Sequence, residues 1–256
     1  MPDLYLIVDQ INSEANNVKS FVLSNADGGL LPPFTAGAHI DITVTLDDGS
    51  TDVRSYSIAS DPAITSTYTL GILRENDSAG GSIFMHHKVR VGDELKSSSP
   101  KNHFPLDPTA EDNLLIAGGI GITPILSMAR ELKATGASYH MHYTAKTPQD
   151  MAFKAEAEEF CGVEGSLYFD GGDPSKGINL KEVLSERPAG RHIFVCGPIG
   201  LIEAVRECAK EEGWPEKAVH FEVFKPTKAE GGETEIQVKL AQSGDTFVVP
   251  AEVSIL

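Results

Sequence analysis

Cysteine is scarce in this 256-residue chain, with only Cys161, Cys196 and Cys208. An odd count without close pairing argues against a disulfide framework, and no Cys-x-x-Cys spacing is present to hold zinc or an iron–sulfur cluster. Basic residues are also few, 21 against 37 acidic, giving a net charge of −16. A chain this acidic is repelled by phosphate backbones, so nucleic acid is excluded as a partner, and an anionic ligand needs a locally built site. Long apolar runs are missing too. The most apolar stretch, "NLLIAGGIGITPIL", is cut by three glycines and too short to span a bilayer. The amino terminus, "MPDLYLIVDQ", has no basic region ahead of an apolar core, so no signal peptide is read. These absences point to a reducing cytoplasm and to no membrane association.

What is present is globular: 41% hydrophobic and 23% charged residues. Residues 1–105 carry short alternating runs ("LYLIVDQI", "VKSFVLSN", "HIDITVTLDDG", "TDVRSYSIAS", "STYTLGILRE") separated by turn signals. That spacing predicts a small antiparallel barrel, with one short helix at 82–89. From about residue 112 strands alternate with helices. "NLLIAGG", "SYHMHYTAK", "GSLYFDGG", "RHIFVCGP" and "AVHFEVF" read as strands. "ITPILSMARELKATG", "DMAFKAEAEEFCG", "INLKEVLSE" and "IGLIEAVRECAKEEG" read as helices. Such alternation predicts an α/β layer with a parallel sheet over 106–225. "PTKAEGGE" reads as a linker, and 226–256 then continues as strand, "SGD" turn and strand. A lone hairpin is marginal in water, so this segment reads as the opening of a further domain. Its "FVV" and "SIL" are expected to be disordered or to borrow a neighbour's surface.

Four stretches can carry chemistry. "AGGIGITP" (117–124) lies between a buried strand and a helix, where glycines let backbone approach an anion. It is not the full dinucleotide fingerprint, because Pro124 replaces the third glycine and no acid follows about 20 residues on. A tight structural turn explains it as well. "VCGP" (195–198) ends a parallel strand, where ligands bind, though a packed thiol fits there too. "FDGGDP" (169–174) ends another strand. Asp170 can bond a ribose diol and repel a 2′-phosphate, favouring NADH over NADPH, or simply form an Asp-Gly turn. "RSYSIAS" (54–60) combines a cation, a flat ring and hydroxyls, and "GGS" (80–82) adds backbone donors at a helix start.

Taken together these segments resemble the ferredoxin–NADP⁺ reductase superfamily. The resemblance is closer to the phthalate dioxygenase reductase family, which includes the vanillate demethylase reductases. It rests on "RSYSIAS", "GGSIFMHHKVRVGDEL", "HFPLD", "LLIAGGIGITPILSMARELKATG", "FVCGP" and "VHFEVF", in order across residues 50–225. It implies an all-β antiparallel flavin-binding barrel (1–105), an α/β parallel-sheet nucleotide-binding domain (106–225), and a linker with the start of a plant-type ferredoxin domain (226–256). It implies NADH and FMN as cofactors and hydride transfer between them. Arg54 and the Gly80, Gly81, Ser82 turn would hold the flavin phosphate. Ser55 belongs to the same strand motif, Tyr56 would pack on the isoalloxazine, and Ser57 would sit near its reactive nitrogen. Thr123 would lie where nicotinamide meets flavin. Gly118, Gly119, Cys196, Gly197 and Pro198 would line the nicotinamide nucleotide's path, Pro124 and Asp170 are counted with the cofactor-binding residues, and Phe224 would cover the flavin or hold the nicotinamide's place. Ser57, Thr123 and Cys196 are the candidate catalytic residues.

In that family a [2Fe–2S] domain follows and passes electrons to the Rieske centre of an oxygenase. This chain ends before the ligand run C-x₄-C-x₂-C, so a truncated chain is expected, with the cluster present only in a full-length protein. Competing readings are an FAD enzyme with a separate ferredoxin or flavodoxin, and a nucleotide-binding subunit without turnover. Of the remaining polar residues, His86 and His87 read as surface or interdomain groups, and His39 as a satisfied strand residue. Glu222 reads as an exposed strand-end carboxylate or a proton relay. His140 and His142 alternate on one strand and could face the same side.

Overall fold

The computed structural model describes residues 4–46, 48–75, 80–161 and 165–224, and the backbone of 236–239 and 246–249. Six strands form the first sheet: β1 (Leu4–Ala15), β2 (Val18–Asn25), β3 (His39–Thr45), β4 (Thr51–Ser57), β5 (Thr67–Leu73) and β6 (Glu94–Ser97). Their order is β4-β3-β6-β1-β2-β5, antiparallel throughout. Alternation drives the fold. Ile40, Ile42 and Val44 on β3 point inward and are fully buried, while the residues between them face out. Each such side chain contributes about 1.5–3 kcal/mol. Beyond Ser57 the chain crosses to the other edge: Ile58 bridges Leu70, and Ala59 N–H donates to the Thr69 carbonyl at 2.8 Å. This joins β4 to β5 and closes the sheet, placing Ser57 at the corner. Helix α1 (Gly81–His87) plugs one end with the buried Met85.

The second sheet is parallel. It comprises β7 (Asp112–Gly118), β8 (Ser138–Ala145), β9 (Ser166–Phe169), β10 (Arg191–Cys196) and β11 (Val219–Glu222), ordered β11-β10-β7-β8-β9. Its helices are α2 (Ile122–Thr135), α3 (Lys154–Cys161), α4 (Leu180–Ser185) and α5 (Ile199–Glu211). Both faces are covered, so β7 reads as a continuous apolar run. Leu115, Ala117, Phe194 and Cys196 pack against α2 and α3. Leu114, Ile116, Ile193 and Val195 pack against α4 and α5, where Trp214 donates its indole N–H to the Leu184 carbonyl at 2.9 Å.

The two sheets belong to one compact unit ending at Phe224. Val18, Ala36, Ala59 and Phe104 share a core with α2 and α3. Ser127 donates to the Ser60 carbonyl (3.0 Å), and Ala36 N–H to Glu131 (3.0 Å). At Gly71 on β5 the contact is backbone-close: a Cβ there would lie 2.7 Å from both the Phe153 ring and the Thr123 methyl. Residues 225–256 form a second unit, in which β12 (Ile236–Lys239) and β13 (Thr246–Val249) pair antiparallel, as the strand–turn–strand pattern predicts. The "PTKAEGGE" linker, the "SGD" turn, "SIL" and the side chains of "FVV" lie outside the described residues.

Three expectations need correction. The barrel has a sixth strand, β6, hidden in the sequence because "ELKS" is four residues long with one apolar side chain. The helix expected over 150–162 begins only at Lys154, because Pro148–Asp150 forms a tight 3₁₀ turn and Phe153 adopts a left-handed backbone, φ 54°. That conformation is strained for a bulky residue and is offset by burial of its ring against Gly71. His86 is not a surface group. It is buried, its Nε2 donates to the Ile72 carbonyl at 2.8 Å, and its own carbonyl accepts from Lys19 Nζ. No helix among the described residues is long and apolar enough to cross a membrane.

Candidate functional site

The strand order reverses direction between β7 and β10, and such a switch point opens a crevice at the carboxyl ends of the strands. Here the crevice is floored by glycine. Gly118 and Gly197 lie against each other, with a Cβ on Gly197 falling 2.9 Å from the Gly118 Cα. A Cβ on Gly121 would sit 2.3 Å from the Cys196 carbonyl oxygen. The two turns, "GGIG" and "CGP", therefore interlock through backbone alone. Any side chain at these positions would force β7 and β10 apart at the point where they present their ends.

Three polar side chains meet beside this crevice. Cys196 and Glu222 are register partners at the ends of β10 and β11. Ser57, buried at the barrel corner, lies close enough to Glu222 for its hydroxyl to act on the carboxylate. The second carboxylate oxygen, Oε2, is buried without a hydrogen-bond partner among the described residues. Burial raises the Glu222 pKa from 4.5 to about 7, against the opposing Ser57 hydrogen bond. Burial, reinforced by the Glu222 charge, also pushes the Cys196 thiol well up. Cys196 is thus a neutral thiol at physiological pH and not a nucleophile.

On β4, Arg54 and Tyr56 share a face. Arg54 pairs with Asp52 (2.6 Å), and its side chain lies flat on Gly81, where a Cβ would fall 2.7 Å from its Cγ and Nε. Gly80 turns the chain into α1 with φ 100°, a conformation glycine adopts without strain. Ser82 accepts the Glu75 N–H at 3.1 Å. The Tyr56 hydroxyl is buried without a hydrogen-bond partner among the described residues, and burial raises its pKa. A cation on a glycine cradle, a flat ring with an unmet hydroxyl and an unmet carboxylate oxygen suit a flat, polar-edged ligand with an anionic tail. The residues present therefore fit a flavin on the barrel side, next to a crevice fit for a dinucleotide.

Over residues 115–207 the sequence matches the oxidoreductase NAD-binding domain family. It is 36% identical to a vanillate O-demethylase oxidoreductase of Pseudomonas sp. over 253 residues, covering 98% of this chain and 78% of that relative. It is 38% identical to the phthalate dioxygenase reductase of Burkholderia cepacia over 245 residues, covering 94% and 74%. The solved structure of a phthalate dioxygenase reductase, a modular protein for electron transfer from pyridine nucleotides to [2Fe–2S], superposes with a TM-score of 0.81 at 35% identity. That match covers 99% of this chain and 78% of the solved one. The chain belongs to the phthalate dioxygenase reductase family. It is accordingly an oxidoreductase, built of a flavin-type barrel and a nicotinamide-nucleotide domain.

Within this phthalate dioxygenase reductase frame, most of the residues singled out in the sequence gather at the two neighbouring places. Arg54, Tyr56, Gly80, Gly81 and Ser82 form the barrel side. Gly118, Gly119, Cys196, Gly197 and Pro198 form the strand-end side, with Ser57 between. Thr123 is buried at the start of α2, its hydroxyl bonded to the Ile120 carbonyl (3.1 Å) and its methyl turned to Gly71; Pro124 is buried beside it. Asp170 is a turn residue, its Oδ1 accepting the Gly172 N–H at 2.7 Å. Phe224 follows β11 and is 37% exposed. Ser55 is not brought in, since its side chain points to the other face of β4 and donates to Asp41.

Glu222 is the correction that matters: its carboxyl is largely buried, and the reading of an exposed strand-end acid fails because Ser57 and Cys196 close over it. His140 and His142 are engaged elsewhere. His140 accepts from Arg191 (2.9 Å), and His142 bonds the Tyr168 hydroxyl (3.0 Å), with its pKa lowered to about 4 by burial, then His140 and Arg191. A cleft of about 180 Å³, lined by Ser60, Asp61, Thr67, Arg130 and Glu156 among others, shares none of the residues of this site.

Proposed function

We propose that this protein is an NADH-dependent, FMN-containing reductase component of a Rieske-type oxygenase system, working in the cytoplasm. The convergence of Ser57 from the barrel with Cys196 and Glu222 from the parallel sheet carries the reading. It sets one reaction edge between a flavin side and a nicotinamide side. A bound FMN would supply hydride acceptance from NADH and release of electrons one at a time. The protein's own residues bind, orient and tune. Arg54, with the Gly80–Ser82 turn, offsets the phosphate charge. Tyr56 presents a flat face and a phenol that stays protonated. The Gly118–Gly119 and Gly197–Pro198 turns allow backbone to approach the nucleotide, and Thr123 fills the floor behind them. Asp170 at the end of β9 repels a 2′-phosphate and so selects NADH. Glu222, with a pKa of about 7, holds or releases a proton at Oε2 beside Ser57. Similarity to phthalate dioxygenase reductase supports a [2Fe–2S] carrier as the next acceptor and an oxygenase as the partner. Three unpaired thiols suit a reducing compartment.

The test is an anaerobic visible spectrum of the purified chain before and after NADH, with the flavin then extracted and identified. A yellow protein carrying FMN that bleaches on NADH supports the proposal. A protein that stays colourless after reconstitution with FMN and FAD overturns it, and extraction of FAD overturns the choice of flavin.

A further inference from the structure

A second cluster of chemistry-bearing side chains lies nearer the amino ends of the same strands. His192 is the second residue of β10 and His220 the second of β11. Asp107 lies in the segment that joins the two sheets. Among the described residues, this is the group of three His, Cys, Asp or Glu side chains whose donor atoms all lie within 4.8 Å of one another. His192 Nδ1 and His220 Nε2 are 3.0 Å apart, and Asp107 Oδ2 is 3.6 Å from the first and 3.9 Å from the second. The point equidistant from these three atoms lies about 2.1 Å from each, the length of a bond to zinc.

We propose that Asp107, His192 and His220 form a site for a divalent transition cation of the zinc type, bound by two imidazole nitrogens and one carboxylate oxygen. The surroundings orient each donor. Asp107 Oδ1 accepts both the backbone N–H (2.8 Å) and the hydroxyl (2.6 Å) of Thr109, which leaves Oδ2 for the histidines. The His220 ring lies face-on to Phe194, centroids 4.6 Å apart and planes within 11°. Such outer contacts fix a ligand's orientation before the ion arrives. Without the ion the two imidazoles meet nearly coplanar, 17° between planes and 5.2 Å between centroids, and share one proton. When the cation binds, that proton moves to the other nitrogen of its own ring, so both imidazoles stay neutral as they turn toward Asp107.

Two nitrogens with one oxygen favour zinc, cobalt, nickel or copper over magnesium and calcium, which want oxygen alone. Asp107 and His220 are partly exposed and His192 is buried, so solvent can take a fourth position. His192 precedes Cys196 by four residues and His220 precedes Glu222 by two, each on the same face of its strand. The ion would therefore clamp the inter-sheet segment to the strands that carry those two groups.

The test is equilibrium dialysis of tag-free, flavin-loaded protein against micromolar zinc chloride, with bound metal counted by mass spectrometry. The expected result is one zinc per chain, unchanged in His103→Ala and at least tenfold weaker in His220→Ala and Asp107→Asn. A retained flavin spectrum certifies the fold of each variant, and Asp107→Asn serves as the isosteric change should His220→Ala fail to fold. Failure of the wild-type protein to hold zinc, or retention that survives both substitutions, overturns the proposal and leaves a hydrogen-bonded histidine pair only.

Discussion

Replacing Glu222 by Gln should stabilise the protein at alkaline pH and not at acid pH. In the folded state the carboxyl pKa is raised from 4.5 to about 7 by burial. Below 4.5 the acid is neutral in both folded and unfolded chains. Between 4.5 and 7 the unfolded chain ionises while the folded one resists, so wild-type stability falls as pH rises through that window and levels off above it. Each pKa unit is worth about 1.4 kcal/mol, which sets a ceiling of about 3 kcal/mol at pH 8. The carboxyl is partly exposed, so about 1–2 kcal/mol is expected. Gln keeps an oxygen to accept from Ser57 and carries no charge to desolvate. For a unit of this size that gain raises Tm by about 2–8 °C at pH 8, falling to a small fraction of that at pH 5 and vanishing only below 4.5. Thermal unfolding of both proteins from pH 5 to 8.5 is the assay. A Tm gap that is the same at every pH, or absent throughout, would refute the claim that a buried charge at Glu222 is the cause.

Arg54→Ala should weaken flavin retention, read as flavin-to-protein ratio after gel filtration, and unchanged occupancy would remove Arg54 from the phosphate site. Cys196→Ala should slow flavin reduction by NADH in stopped flow while leaving flavin affinity within a few-fold; wild-type rates would mean that the thiol only packs. Gly71→Ala puts a methyl 2.7 Å from both Phe153 and Thr123. Relief requires the sheets to part or Thr123 to shift, so it should cost about 1–3 kcal/mol in urea unfolding. No loss of stability would show that this contact yields freely.

Most of the architecture was legible because periodicity reports burial. β2 and β3 alternate with one face in, and β7 is buried on both faces, and these patterns survive in the one-dimensional string. β6 was not legible, since four residues held between β3 and β1 owe their strand to their neighbours and not to their own composition. The start of α3 failed for a related reason: Phe153 leaves the helical region to reach Gly71, a contact made across more than eighty residues of sequence. At the site, the glycines and Arg54 could be read because turn and charge chemistry is local. Glu222 could not. Its environment is made by Ser57 from one sheet and Cys196 from the next strand, and nothing in "VHFEVF" signals burial of a carboxyl. The Asp107–His192–His220 group was missed likewise, because its spacing matches no local ligand pattern and only the pairing of β10 with β11, with the inter-sheet segment laid beside them, assembles it.

The meeting of Ser57 with Glu222 also has a meaning in time. The two residues leave the ribosome far apart, with roughly 165 residues between them, or about 8–33 s at ordinary elongation rates. The barrel strands are complete by Ser97, so the half that holds Arg54 and Tyr56 can close early. The reaction edge, by contrast, exists only when β11, the last strand of the sheet and one of its borders, has docked on β10. On the proposed function, a nascent chain can therefore assemble the side meant for the flavin before the carboxylate and thiol that border it are in place.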